Sequence, residues 1–153
     1  VLEHWNIANQ SVSGFRIVRD NPGSRIDHRQ LIGLRPADGE SFLLAEISWL
    51  MYRSDGRLFA GLSLMPGLPQ VVGARIKTPS GHGLGENYQQ AFLLPSVDAL
   101  KTESTIIVPP NWYAAERVLD IQGEEEKGFR IRMLSLISRG TNFDRVSFER
   151  MVN

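Results

Sequence analysis

The sequence predicts an all-β protein, two small β barrels in tandem, the first six-stranded and antiparallel. Three observations carry this: short segments rich in Val, Ile, Leu and Phe, turn-forming residues at regular intervals between them, and no sustained apolar stripe of 3.6-residue period. In the first barrel, assigned residues 1–78, strands are expected near 3–9, 13–19, 30–35, 42–52, 58–65 and 71–77. Asp20-Asn21-Pro22-Gly23, Asp38-Gly39, Asp55-Gly56 and Pro66-Gly67-Leu68-Pro69 supply the turns between them. Asp55-Gly56 separates the two longest apolar segments and predicts their hairpin.

Residues 79–86 read as a linker, because this stretch holds three glycines and a proline end and little hydrophobicity. The second barrel is assigned residues 87–153, with strands near 89–94, 104–108, 115–121, 128–137 and 142–151. Phe129, Ile131 and Met133 alternate with Arg130 and Arg132, the pattern of one buried and one wet face. Residues 124–127, three glutamates and a lysine, read as a solvated hairpin tip. Each half is small enough that a lone core is only marginally stable, so the two barrels are expected to pack together.

Seventeen basic residues balance seventeen acidic ones. No broad field exists to draw the chain onto DNA, RNA or an anionic membrane, and none of these is an expected partner. Without cysteine there is no disulfide, thiol nucleophile or thiolate metal site. Apolar runs such as Ala91-Phe92-Leu93-Leu94 fall far short of the ~20 residues of a spanning helix. No basic stretch followed by an apolar core opens the chain, so a cytoplasmic location is expected. The chain opens on Val1, in keeping with processing or excision from something longer.

No catalytic constellation emerges, and the chain is read as a non-enzyme without cofactor. Gly81 to Gly85 lacks the Gly-Lys-Ser/Thr of a phosphate loop, and His4, His28 and His82 lack metal-ligand spacing. Ser11 and Ser13 stand outside a nucleophile elbow, and no carboxylates pair for acid/base work. An oligonucleotide-binding barrel is disfavoured by the neutral charge and by three tryptophans without a basic stripe.

The most informative feature interrupts the first strand pattern: Asn9-x-Ser11-x-x-Gly14. Short polar side chains here can bond backbone or ligand, and Gly14 permits a backbone approach that a β-carbon forbids. Trp5, Asn9, Ser11, Gly14 and Phe15, then Gly33-Leu34, Trp49-Leu50 and Phe59-Ala60-Gly61, follow in an order that resembles the PilZ domain, a bacterial receptor for cyclic di-GMP, over about residues 3–77. The resemblance implies that Asn9, Ser11 and Gly14 contact a guanine and its ribose. It also implies an upstream Arg-x-x-x-Arg for the phosphates, yet the eight residues before Asn9 contain no arginine. Arg25-Ile26-Asp27-His28-Arg29 has the spacing but follows the motif, and the role is not carried onto it. A rearranged phosphate clamp with Arg16 and Arg19 is one alternative, and a solvated basic loop around Asp27 the other.

The function so implied is a non-catalytic signalling or adaptor module. It binds cyclic di-GMP when an upstream arginine segment is supplied, and ordering of that segment changes the surface offered to another protein or domain. The alternative is a degenerate barrel that binds no nucleotide and serves protein–protein interaction.

Overall fold

The computed structural model describes residues 3–11, 14–39, 41–77, 87–100, 103–124 and 127–152. The chain divides into two compact units, Val1–Met65 with Gly140–Asn142, and Pro66–Arg139 with Phe143–Asn153. The all-β expectation holds: apart from a 3-10 turn at Asp98–Leu100, the regular elements of the described residues are strands.

In the first unit β1 (Asn6–Gln10), β2 (Gly14–Arg19), β3 (Leu31–Leu34), β4 (Leu43–Tyr52) and β5 (Leu58–Leu64) form an antiparallel sheet in the order β1-β2-β5-β4-β3. Alternation sends Ile17, Ala45, Ile47, Ala60 and Leu62 into a core flanked by Trp5, Phe15, Ile32, Leu50 and Leu64. Burial of each large aliphatic side chain there contributes roughly 1.5–3 kcal/mol. The expected β4–β5 hairpin is present: the Arg53 N–H donates to the Arg57 carbonyl (2.9 Å) and the Gly56 N–H to the Arg53 carbonyl (3.0 Å), closing the turn around Asp55-Gly56.

The second unit is a closed six-stranded barrel of β6 (Gln70–Ile76), β7 (Gln89–Leu94), β8 (Thr105–Val108), β9 (Val118–Gln122), β10 (Phe129–Arg139) and β11 (Asp144–Arg150), in the order β10-β11-β8-β7-β6-β9. Val72, Ala74, Ala91, Ile106, Val108, Leu119, Ile121, Ile131, Met133 and Val146 fill it. As the alternation predicts, Ile131 and Met133 are fully buried, whereas Arg130 and Arg132 lie outside and pair with Asp120 (3.1 Å) and Glu149 (2.9 Å). Closure leaves no free edge in this sheet.

Inside this unit, Asp144 is wholly buried yet remains acidic. Burial alone would raise its pKa, but Arg139 (2.9 and 3.1 Å) and the Tyr113 and Asn111 N–H groups together hold it below the usual carboxylate range.

The structure corrects the expected division of the chain. The strand expected near 71–77 is β6, which pairs with β7 and β9 of the second unit rather than completing the first. β5 already has β2 on one side and β4 on the other, and Val72 and Ala74 face the second core. The first unit is therefore a five-stranded sheet, not closed like the second, where a six-stranded barrel is expected, and the boundary falls between Met65 and Pro66 instead of near residue 78. Pro66 and Pro69 lack the N–H a ladder requires, so the stretch read as an internal turn is the crossing between units. The linker reading of residues 79–86, and residues 125–126 of the acidic tip, lie outside the described residues.

Candidate functional site

The outward face of the five-stranded sheet carries the sequence motif. Antiparallel register aligns Asn9, Arg16, Gly61 and Trp49 in one row across four strands, and Gly14, Ser63 and Glu46 in the next. Over these rows lies an open groove of about 260 Å³, lined by Asn9, Ser11, Gly14, Arg16, Ser48 and Trp49 among others. All three residues singled out in the sequence thus meet at one site.

Two glycines form its floor by necessity. A β-carbon on Gly14 would run into the Leu62 carbonyl oxygen, and one on Gly61 would overlap the Trp49 indole. Their lack of side chain allows β2 to approach β5 and Trp49 to lie against the β5 backbone. Ser11 bonds to the first residue of β2: its N–H donates to the Gly14 carbonyl at 2.9 Å, and its hydroxyl to the same oxygen at 3.4 Å. Asn9 Oδ1 accepts from the Gln10 N–H (2.8 Å), and its Nδ2 donates to no described residue. The motif is therefore partly self-bonded, and among the described residues the Asn9 amide hydrogens have no acceptor.

A bulge in β4 supplies the opposite wall. Register shifts between Ile47 and Trp49, leaving Ser48 as the extra residue, so Ser48 and Trp49 both line the groove while Ile47 and Leu50 pack inward. Ser48 and Ser63 hydroxyls join across the strands at 2.5 Å. The indole remains 39% exposed. In the sequence Trp49 stood out only as part of the strand order, and Ser48 not at all. The signal was available, since inward residues Ala45, Ile47 and Leu50 are spaced two and then three apart, which a regular strand cannot do.

The arginines sort clearly. Arg16 sits between Trp49 and Phe59, its guanidinium carbon 5.9 Å and 5.1 Å from the ring centroids, and its Nε is buried without a hydrogen-bond partner. Arg19 is bound in a structural cluster: it pairs with Glu3 (3.0 Å), donates to the Ser24 carbonyl (3.0 Å) and lies 5.1 Å from the Trp5 ring. Glu3 also accepts from the Ser24 N–H (2.7 Å); the bonds with Ser24, then Arg19 and Trp5, outweigh desolvation and lower its pKa to about 2. Arg25 is exposed and pairs with Asp27 (3.3 Å), and Arg29 Nη2 lies 3.0 Å from Glu46. Neither lines the groove.

Among the described residues no group of three His, Asp or Glu side chains could hold a metal, and no helix is long and apolar enough to cross a membrane.

The family model of the FimW C-terminal beta-barrel domain matches residues 72–151, just over half of the chain, and this span runs from within β6 to one residue beyond β11. The chain belongs to the FimW C-terminal beta-barrel domain family. No curated protein and no solved structure matches it. The FimW-type barrel accounts for the second unit, and the groove lies wholly in the residues that precede it.

Proposed function

We propose that the first unit is a PilZ-like receptor surface for cyclic di-GMP, attached to the FimW-type barrel and working as a non-catalytic signalling module. The observation that carries this reading is the convergence of Asn9, Ser11 and Gly14 on one groove with an exposed indole on its far side. Asn9 Nδ2 offers a donor and the Ser11 hydroxyl oxygen an acceptor to a guanine edge and ribose, Gly14 admits the ligand close to the backbone, and Trp49 offers an aromatic surface for a purine. An upstream Arg-x-x-x-Arg segment, where present, would close over the ligand and so alter the surface met by a partner.

Isothermal titration with cyclic di-GMP tests this. Saturable binding that Ser11→Ala weakens about fivefold, the equivalent of one ~1 kcal/mol hydrogen bond, supports it. Equal affinity of both proteins removes the groove from the site. A second reading, a protein-interaction surface without nucleotide, is favoured by the exposed Trp49, Met51 and Tyr52 along the end of β4. It gains ground if no heat is observed.

A further inference from the structure

Beside the groove, three arginines converge on one aromatic ring. The guanidinium carbons of Arg53, Arg16 and Arg57 stand 4.7, 5.1 and 5.3 Å from the Phe59 centroid, so all three lie within 5.3 Å of that point. Their positions follow from the fold. Phe59 is on the outward side of β5, in register with Val18 and Met51; Arg16 projects from the neighbouring β2, and Arg53 and Arg57 flank the β4–β5 turn.

Cation–π contact explains why one guanidinium covers this ring, but three like charges so close together repel one another. The local acidic complement is small. Asp55 pairs with Arg57 (2.8 Å) and also accepts the Arg57 N–H (3.1 Å). Among the described residues neither Arg16 nor Arg53 has a carboxylate within ion-pair distance. Arg16 Nε is in addition buried and unbonded, a donor whose desolvation is not compensated within the protein. In a chain of zero formal charge, this face holds a local excess of two positive charges.

We infer that Arg16, Arg53 and Arg57 form a phosphate-binding subsite continuous with the Asn9–Ser11–Gly14 groove. Guanidinium groups donate in planar pairs to phosphate oxygens, and Phe59 fixes where they stand. Arg16 belongs to both sites, since it lines the groove and touches Phe59. A ligand with a base in the groove would place its phosphodiester over the triad. In this chain residues downstream of the motif thereby take the cationic role that the resemblance assigns upstream; this assignment deepens the nucleotide reading, and its phosphodiester occupant rests on that reading.

The test is NMR of the arginine Nε–H groups of the full chain, titrated separately with inorganic pyrophosphate and with cyclic di-GMP. Pyrophosphate is expected to shift the Arg16, Arg53 and Arg57 resonances saturably. Arg53→Gln, on an exposed turn where folding is not at risk, is expected to weaken this about tenfold, and Arg25→Gln, which removes the same charge elsewhere, to leave it unchanged. Absence of saturable shifts, or equal weakening by Arg25→Gln, overturns the subsite. Triad shifts with pyrophosphate but none with cyclic di-GMP uphold the anion site and defeat the nucleotide reading. Cyclic di-GMP affinity unchanged by Arg53→Gln, with no response to pyrophosphate, does the reverse.

Discussion

The Trp49 indole occupies the space that a β-carbon on Gly61 would need, and the two residues face each other in register across β4 and β5. Gly61→Ala is therefore expected to expel the indole or part the strands, at a cost of about 1–3 kcal/mol as for other overpacking changes. Denaturant unfolding gives the energy, and a red shift in tryptophan emission relative to Trp49→Phe assigns it to this residue.

Gly14→Ala meets backbone rather than side chain. Because the Leu62 carbonyl cannot swing away without breaking the β2–β5 ladder, its cost is expected to equal or exceed that of Gly61→Ala. Hydrogen exchange should show lost protection in β2 and β5 while the closed barrel retains its own. Unchanged protection in β2 would contradict the close approach.

Glu3 gives a pH dependence of defined sign. Its pKa falls from 4.5 to about 2 on folding, so the stabilisation it provides is complete above pH 4.5 and is lost as the pH falls toward 2. Compared with Glu3→Gln, the native protein should be more stable at pH 6, and the gap between their denaturation midpoints should narrow steadily below pH 4.5. A gap independent of pH would show that the Ser24 and Arg19 contacts do not hold the carboxylate.

In the second barrel, Asp144→Ala would strip the acceptor from the Tyr113 N–H and remove both carboxylate bonds of Arg139. Loss of a charged acceptor from a buried site costs about 2–3 kcal/mol. Arg139→Gln should also destabilise, since it leaves the buried carboxylate with its backbone donors alone, and Asp120→Asn, on the outer face, should cost less than either. Thermal unfolding of the three variants checks the order.

The strands and their alternation were legible in the sequence because period-2 burial is a local signal, as Phe129 to Met133 illustrates. Partnership was not. Val71 to Ile76 reads equally well as a strand of either unit, and only the filled edges of β5 and the inward faces of Val72 and Ala74 send it to the second barrel. Asn9, Ser11 and Gly14 were legible as a motif within six residues of one another. Ser48, Trp49, Arg53 and Arg57 come from residues some forty positions away and reach the same face through a bulge and a hairpin turn, information that resides in register.

The most direct test of the account is to map backbone amide and indole N–H shifts of the full chain during titration with cyclic di-GMP. Saturable shifts centred on Asn9, Ser11, Gly14 and the Trp49 Nε1–H are expected, with the closed barrel's core strands unmoved. Shifts centred on the barrel, or none at ligand excess, would contradict it.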